Sequence, residues 1–143
     1  LLHQNNQIIF PIVFLYRQYF ELMIKYFYLS FSEDTEKEKL NKIKGHNLSN
    51  KLDQIFKPAI CNHTNLAGEG LDDLKKYAEE FEEYDKGSDA FRYPINNTMD
   101  IYHDKLMRID LGILKSGMYN IDLIFDSLRT HLEVDKGVES KLY

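Results

Sequence analysis

The sequence predicts an all-α protein, an up-and-down bundle of four main helices forming one domain over residues 1–143, with a small β-hairpin inserted before the last helix. Three observations carry this. A strongly apolar, aromatic-rich run from Ile8 to Leu29 opens the chain, and three later stretches repeat apolar residues at three- and four-residue steps. The one stretch that breaks this period, residues 90–111, holds Pro94 and the turn-forming pair Asn96 and Asn97. With 143 residues, 43% of them apolar and 13% aromatic, the chain is long enough to bury one real core.

The first helix is long enough to cross a bilayer, which takes roughly 20 apolar residues. Its middle argues otherwise. Arg17, Glu21 and Lys25 lie inside "FLYRQYFELMIKYFYL", and each charge at that depth costs about 2.5 to 3.5 kcal/mol on insertion. No membrane is therefore expected. Steps of four residues advance only about 40° around a helix, so the three charges form one stripe, extended by Tyr28, in which Glu21 can pair with both cations. The surrounding Tyr16, Tyr19, Phe20, Leu22, Met23, Ile24 and Phe27 place this helix at the centre of its domain. The charges must then face one another, a partner subunit or a wet cleft.

"SEDTEKEKLNKIKG", residues 32–45, reads as a charged and partly helical connector ended by Gly45. In "GHNLSNKLDQIF", Leu48, Leu52, Ile55 and Phe56 have helical spacing, His46 or Asn47 stands where a cap is needed, and Pro58 is expected to limit the end. From Gly70, the residues Leu71, Leu74, Ala78, Phe81 and Tyr84 share a helix face that Gly87 should stop. After the hairpin, expected to pair Phe91–Ile95 with Leu106–Ile109, Asp110 is a natural cap. Leu111, Leu114, Met118, Ile121, Phe125, Leu128 and Leu132 then repeat across three heptads, with Gly112 and Gly117 inside the helix.

The formal charge of −5 disfavours a protein that coats nucleic acid non-specifically. Residues 69–89 carry nine acidic and three basic side chains, so the rest of the chain sums to +1 and leaves room for a local basic groove. Cys61 is the only cysteine, which fits a reducing, cytoplasmic setting. No Gly-rich phosphate loop, nucleophile elbow or His-Glu-x-x-His helix is present, and no cofactor is expected. Cys61 and His63 lack neighbours to complete a four-ligand set, so no metal is expected either.

Three motifs remain, "FLYRQYFELMIK", "KGHNLSNKL" and "FRYP", the last at residues 91–94. Together they resemble a group of bacterial proteins that look related to the HEPN superfamily, over roughly residues 8–95 and loosely into the last helix. HEPN domains are small helical bundles, often dimeric, found in ribonuclease toxins, phage-defence proteins and partners of nucleotidyltransferases. The resemblance implies that Arg17, Glu21, His46, Arg92 and Tyr93 sit together. It also implies a homodimer that takes an RNA or nucleotide ligand or a protein partner.

HEPN ribonucleases typically carry an Arg followed four to six residues later by His, and no arginine here has that pattern: Arg92 reaches His103 only after ten intervening residues, and Arg129 is two before His131. The expected function is therefore a binding or regulatory component of a toxin-antitoxin or phage-defence system. The alternative is a metal-independent ribonuclease with His46 and Arg92 as its catalytic pair, His46 as acid or base and Arg92 or Arg17 as phosphate clamp, and with Arg17, Glu21, Lys25 and Tyr93 around the ligand.

Overall fold

The computed structural model describes residues 2–61, 63, 68–84 and 110–135, and among them all regular structure is helical. Helix α1 spans Leu2–Phe31 and α2 spans Glu36–Lys42. Helix α3, Leu48–Lys51, runs through a π-helical turn at Leu52–Phe56 into α4, Lys57–Cys61. Helices α5, Gly68–Tyr84, and α6, Leu111–Asp135, complete the bundle. The hairpin expected over Phe91–Ile95 and Leu106–Ile109 lies outside the described residues, as does Gly87. Among the described residues no helix is long and apolar enough to cross a membrane.

The starts of α2, α3 and α6 each have a local chemical cause. Thr35 and Glu38 form a reciprocal capping box on α2: the Glu38 amide donates to Thr35 Oγ1 (3.3 Å) and the Thr35 amide to Glu38 Oε2 (2.8 Å). After α2, Gly45 takes φ +87°, a conformation that other residues rarely adopt, and turns the chain into α3. Asn47, rather than His46, caps α3 by accepting from the Asn50 amide at 2.7 Å. On α6, Asp110 Oδ1 accepts from the amides of Gly112 (2.7 Å) and Ile113 (3.1 Å). Asp110→Ala is expected to cost about 1 kcal/mol, the usual worth of such a cap, seen as a lower denaturant midpoint with an unchanged slope.

The expectation that Pro58 ends its helix fails. Pro58 lies inside the continuous helical run from 48 to 61, directly after the π turn, in which the Lys57 amide reaches back five residues to the Leu52 carbonyl. Proline lacks an amide hydrogen, and its ring collides with the carbonyl four residues earlier in a regular α-helix. The wider π turn relaxes that crowding and lets the helix continue.

The topology also differs from up-and-down. Glu21 meets His46, Phe27 stacks edge-on against Phe56 and Phe31 meets His63, so the α3–α4 rod runs in the same direction as α1. Val13 lines one cavity with Leu114 and Met118, and further along Tyr19 meets Asp122, which makes α6 parallel to α1 as well. Apart from the short α2, only α5 among the described helices runs the other way, since Ser49 meets Glu82 whereas Asp53 meets Lys75. The cause is the connector: residues 32–47, with α2 in their middle, carry the chain back along α1 before α3 begins. Lys39 Nζ, bonded to the Leu29 carbonyl at 3.0 Å, ties that return path to α1.

Around α1 the core collects Val13, Phe20, Ile24, Phe27 and Phe31, with Leu48, Phe56 and Ile60 from the rod, Leu74, Ala78 and Phe81 from α5, and Met118 to Leu132 from α6. At its centre Phe125 contacts four rings: Tyr19, Phe20, Phe27 and Phe56. Gly117 lets the Tyr77 ring close onto α6, where a Cβ would sit 3.3 Å from that ring.

Candidate functional site

The stripe on α1 faces neither lipid nor open water. Arg17 is fully buried and Glu21 nearly so, and the charges are turned on one another and on the loop before α3. Glu21 Oε2 accepts from Arg17 Nη1 at 3.2 Å, and Oε1 accepts from Lys25 Nζ at 2.6 Å. The same Oε1 lies 3.0 Å from His46 Nδ1. Arg17 Nη2 donates to the His46 backbone carbonyl, so one arginine holds both the carboxylate and the loop that carries the histidine. Among the described residues Arg17 Nε has no hydrogen-bond partner.

Burial alone would push the Glu21 carboxyl up. The hydrogen bond and charge of Lys25, and then those of His46, outweigh it and hold the group below the ordinary carboxylate value. Glu21 is therefore an anion, fixed among cations. His46 shows about half of its side chain to solvent (54%) and Lys25 about a fifth (21%). With Nδ1 engaged by Glu21, the Nε2 nitrogen of His46 is the one left for a ligand.

A further basic residue joins the cluster from the rod. Lys51 is buried, with Nζ donating to the carbonyls of Lys42 (3.2 Å) and Lys44 (2.5 Å), and so it closes the C-terminal end of α2. Its pKa is pushed down by burial first and by Lys25 second, with Glu21 acting the other way. Sequence reading did not single it out, although a signal was available. Lys51 stands three residues after Leu48 and four before Ile55, the spacing of the buried face. The N-terminus of α3 is already satisfied, by Asn47 and by Glu82 Oε1, which accepts from the Ser49 amide at 3.1 Å.

Arg17, Glu21, Lys25 and His46 are thus brought together, while Arg92 and Tyr93 lie outside the described residues. Tyr28 leaves the stripe for a second polar group: its hydroxyl donates to Asp34 Oδ2 at 2.6 Å, beside Lys42 Nζ on the same oxygen at 2.7 Å. Burial first, and then the Asp34 carboxylate, push the Tyr28 phenol up to about 12. A cavity of about 230 Å³ opens there between the Ser32–Asp34 turn and the π turn. Cys61 is exposed, and His63 Nε2 lies 3.1 Å from the Phe31 carbonyl. Among the described residues no trio of His, Cys, Asp or Glu is placed to hold a metal.

In chemical terms the α1 site is a basic cluster: Arg17, Lys25 and the His46 imidazole gather around the Glu21 carboxylate, with Lys51 nearby on backbone carbonyls, and the two most exposed of them, Lys25 and His46, form its outer rim. Compared with family models, curated proteins and solved structures, the chain matches none.

Proposed function

We propose that this chain is a HEPN-like bacterial binding or regulatory protein of a toxin-antitoxin or phage-defence system, acting as a homodimer and holding the phosphate of an RNA or nucleotide at the Lys25 and His46 rim. The observation that carries the reading is the excess of basic groups over Glu21, the single carboxylate they share. Arg17 and Lys51 are committed to internal carbonyls and to Glu21, so they supply field and rigidity, and the contact falls to Lys25 and His46.

The ribonuclease alternative is favoured by one specific contact. A carboxylate on His46 Nδ1 selects the tautomer whose Nε2 can take the proton of a ribose 2′-hydroxyl, so that the 2′-oxygen attacks the adjacent phosphorus while the 5′-oxygen leaves and is protonated from water. Arg92 stays the proposed clamp of that reading.

Total RNA, tRNA and a fluorescein-labelled oligoribonucleotide, each with and without chelator, separate the two. Binding is expected to weaken steeply with salt and to fall tenfold or more in His46→Ala and Lys25→Ala, with little change in melting temperature for His46→Ala because water can replace its exposed contacts. Chelator-resistant cleavage that disappears in His46→Ala would favour the ribonuclease. A protein that neither binds nor cleaves these RNAs at low salt overturns both.

A further inference from the structure

Opposite its buried face, α1 carries a second apolar stripe that the core does not use. Leu15, Leu22 and Leu29 lie seven residues apart, with Tyr26 beside them, and Tyr119 and Leu123 of α6 adjoin the same surface; all six are between 43% and 65% exposed. The Tyr19–Asp122 hydrogen bond marks the seam between the two helices. On α1 the core residue Phe20 lies to one side of Tyr19 and the leucines to the other. On α6 the core residue Phe125 lies to one side of Asp122, with Tyr119 and Leu123 to the other, so the two sets border one continuous outer face.

We infer that this face is the contact between two copies of the chain, α1 packed antiparallel on α1 about a two-fold axis at Leu22. A two-fold contact must be self-complementary. The stripe meets that condition, because Leu15 and Leu29 are equidistant from Leu22, and Leu15 would meet Leu29 of the partner subunit. At about 150 to 250 Å² for a large side chain, the exposed fractions leave on the order of 600 Å² open. A standard interface buries roughly 800 Å² per partner, so these six residues and a polar rim supply what a stable dimer needs. The inference rests on the homodimer in the proposed function, and not on its anion site.

Light scattering on the purified protein at tens of micromolar is expected to give twice the 17.0 kDa chain mass. Leu22→Glu should halve it with the helical circular dichroism intact, whereas Ile113→Glu, on another face of α6, should leave the dimer. In a Cys61→Ser background, Leu22→Cys should cross-link to itself under mild oxidation. Leu15→Cys should cross-link to Leu29→Cys in a mixture and not to itself. A monomeric wild type, a dimeric Leu22→Glu, or self-linking by Leu15→Cys overturns the arrangement. RNA binding read on the same samples fails or survives separately, so loss of the anion site and loss of the dimer are told apart.

Discussion

Glu21→Ala is expected to destabilise the protein by about 3 to 5 kcal/mol, because it strands the Arg17 guanidinium in a fully buried position with the His46 carbonyl as its remaining partner. That is a large part of a domain's whole stability. Replacing both ions with apolar side chains of similar volume, Arg17→Met with Glu21→Leu, should recover much of the loss, since the penalty lies in the uncompensated charge. The pH dependence has a definite sign. Glu21 titrates below its ordinary value of 4.5 in the folded protein, so its contribution is complete above that value and is lost as pH falls through the folded pKa. Urea midpoints from neutral pH down to pH 3 should therefore converge for wild type and Glu21→Gln at the acid end. A melting temperature unchanged by Glu21→Ala would show that the stripe is not coupled.

Phe125→Ala is expected to cost a further about 3 to 5 kcal/mol for a different reason, the cavity left by an aromatic ring at the centre of the core. The rings of Tyr19, Phe20, Phe27 and Phe56 lie 5.6 to 6.5 Å from it and come from α1 and the π turn, so collapse around the hole would have to move two elements at once. Phe125→Leu should be milder, since it keeps most of the volume. Chemical denaturation of the two variants checks the order. Near-equal midpoints for Phe125→Ala and wild type would mean that the ring is not central.

The parts of the fold legible in the sequence are those where one helix turn repeats one chemistry. The heptads of α6 and the α5 face from Leu71 to Phe81 need nothing but the 3.6-residue period, and Asp110 announces its helix by its own side chain. The convergence of Arg17, Glu21 and Lys25 was legible for the same reason, and so was the need for them to face something polar. His46 came from the resemblance, and its place beside Glu21 depends on a loop path that no local rule encodes. The direction of the α3–α4 rod was not legible, because the charged connector could equally have led to an antiparallel neighbour. Lys51 was hidden by its charge: a lysine in "SNKLDQ" reads as solvated until the carbonyls of Lys42 and Lys44 are seen to receive it.

The π turn at Leu52–Phe56 makes the rod behave like a shaft with an offset key. Five residues wound at about 4.4 per turn advance roughly 90° less than the same five in an α-helix, and Phe56 and Ile60 consequently stand on the face set by Leu48, all three fully buried. Loss of one residue here would restore a regular helix locally and leave everything beyond it almost in phase, because four α-helical residues advance about as far around the axis as five π-wound ones. Phe56 would stay on Phe27, and His63 at the Phe31 carbonyl. In most helices a one-residue deletion turns the whole downstream part by about 100°. In this one the π turn would absorb it, which makes the stretch between Lys51 and Lys57 the place where the rod can lose a residue and keep its contacts.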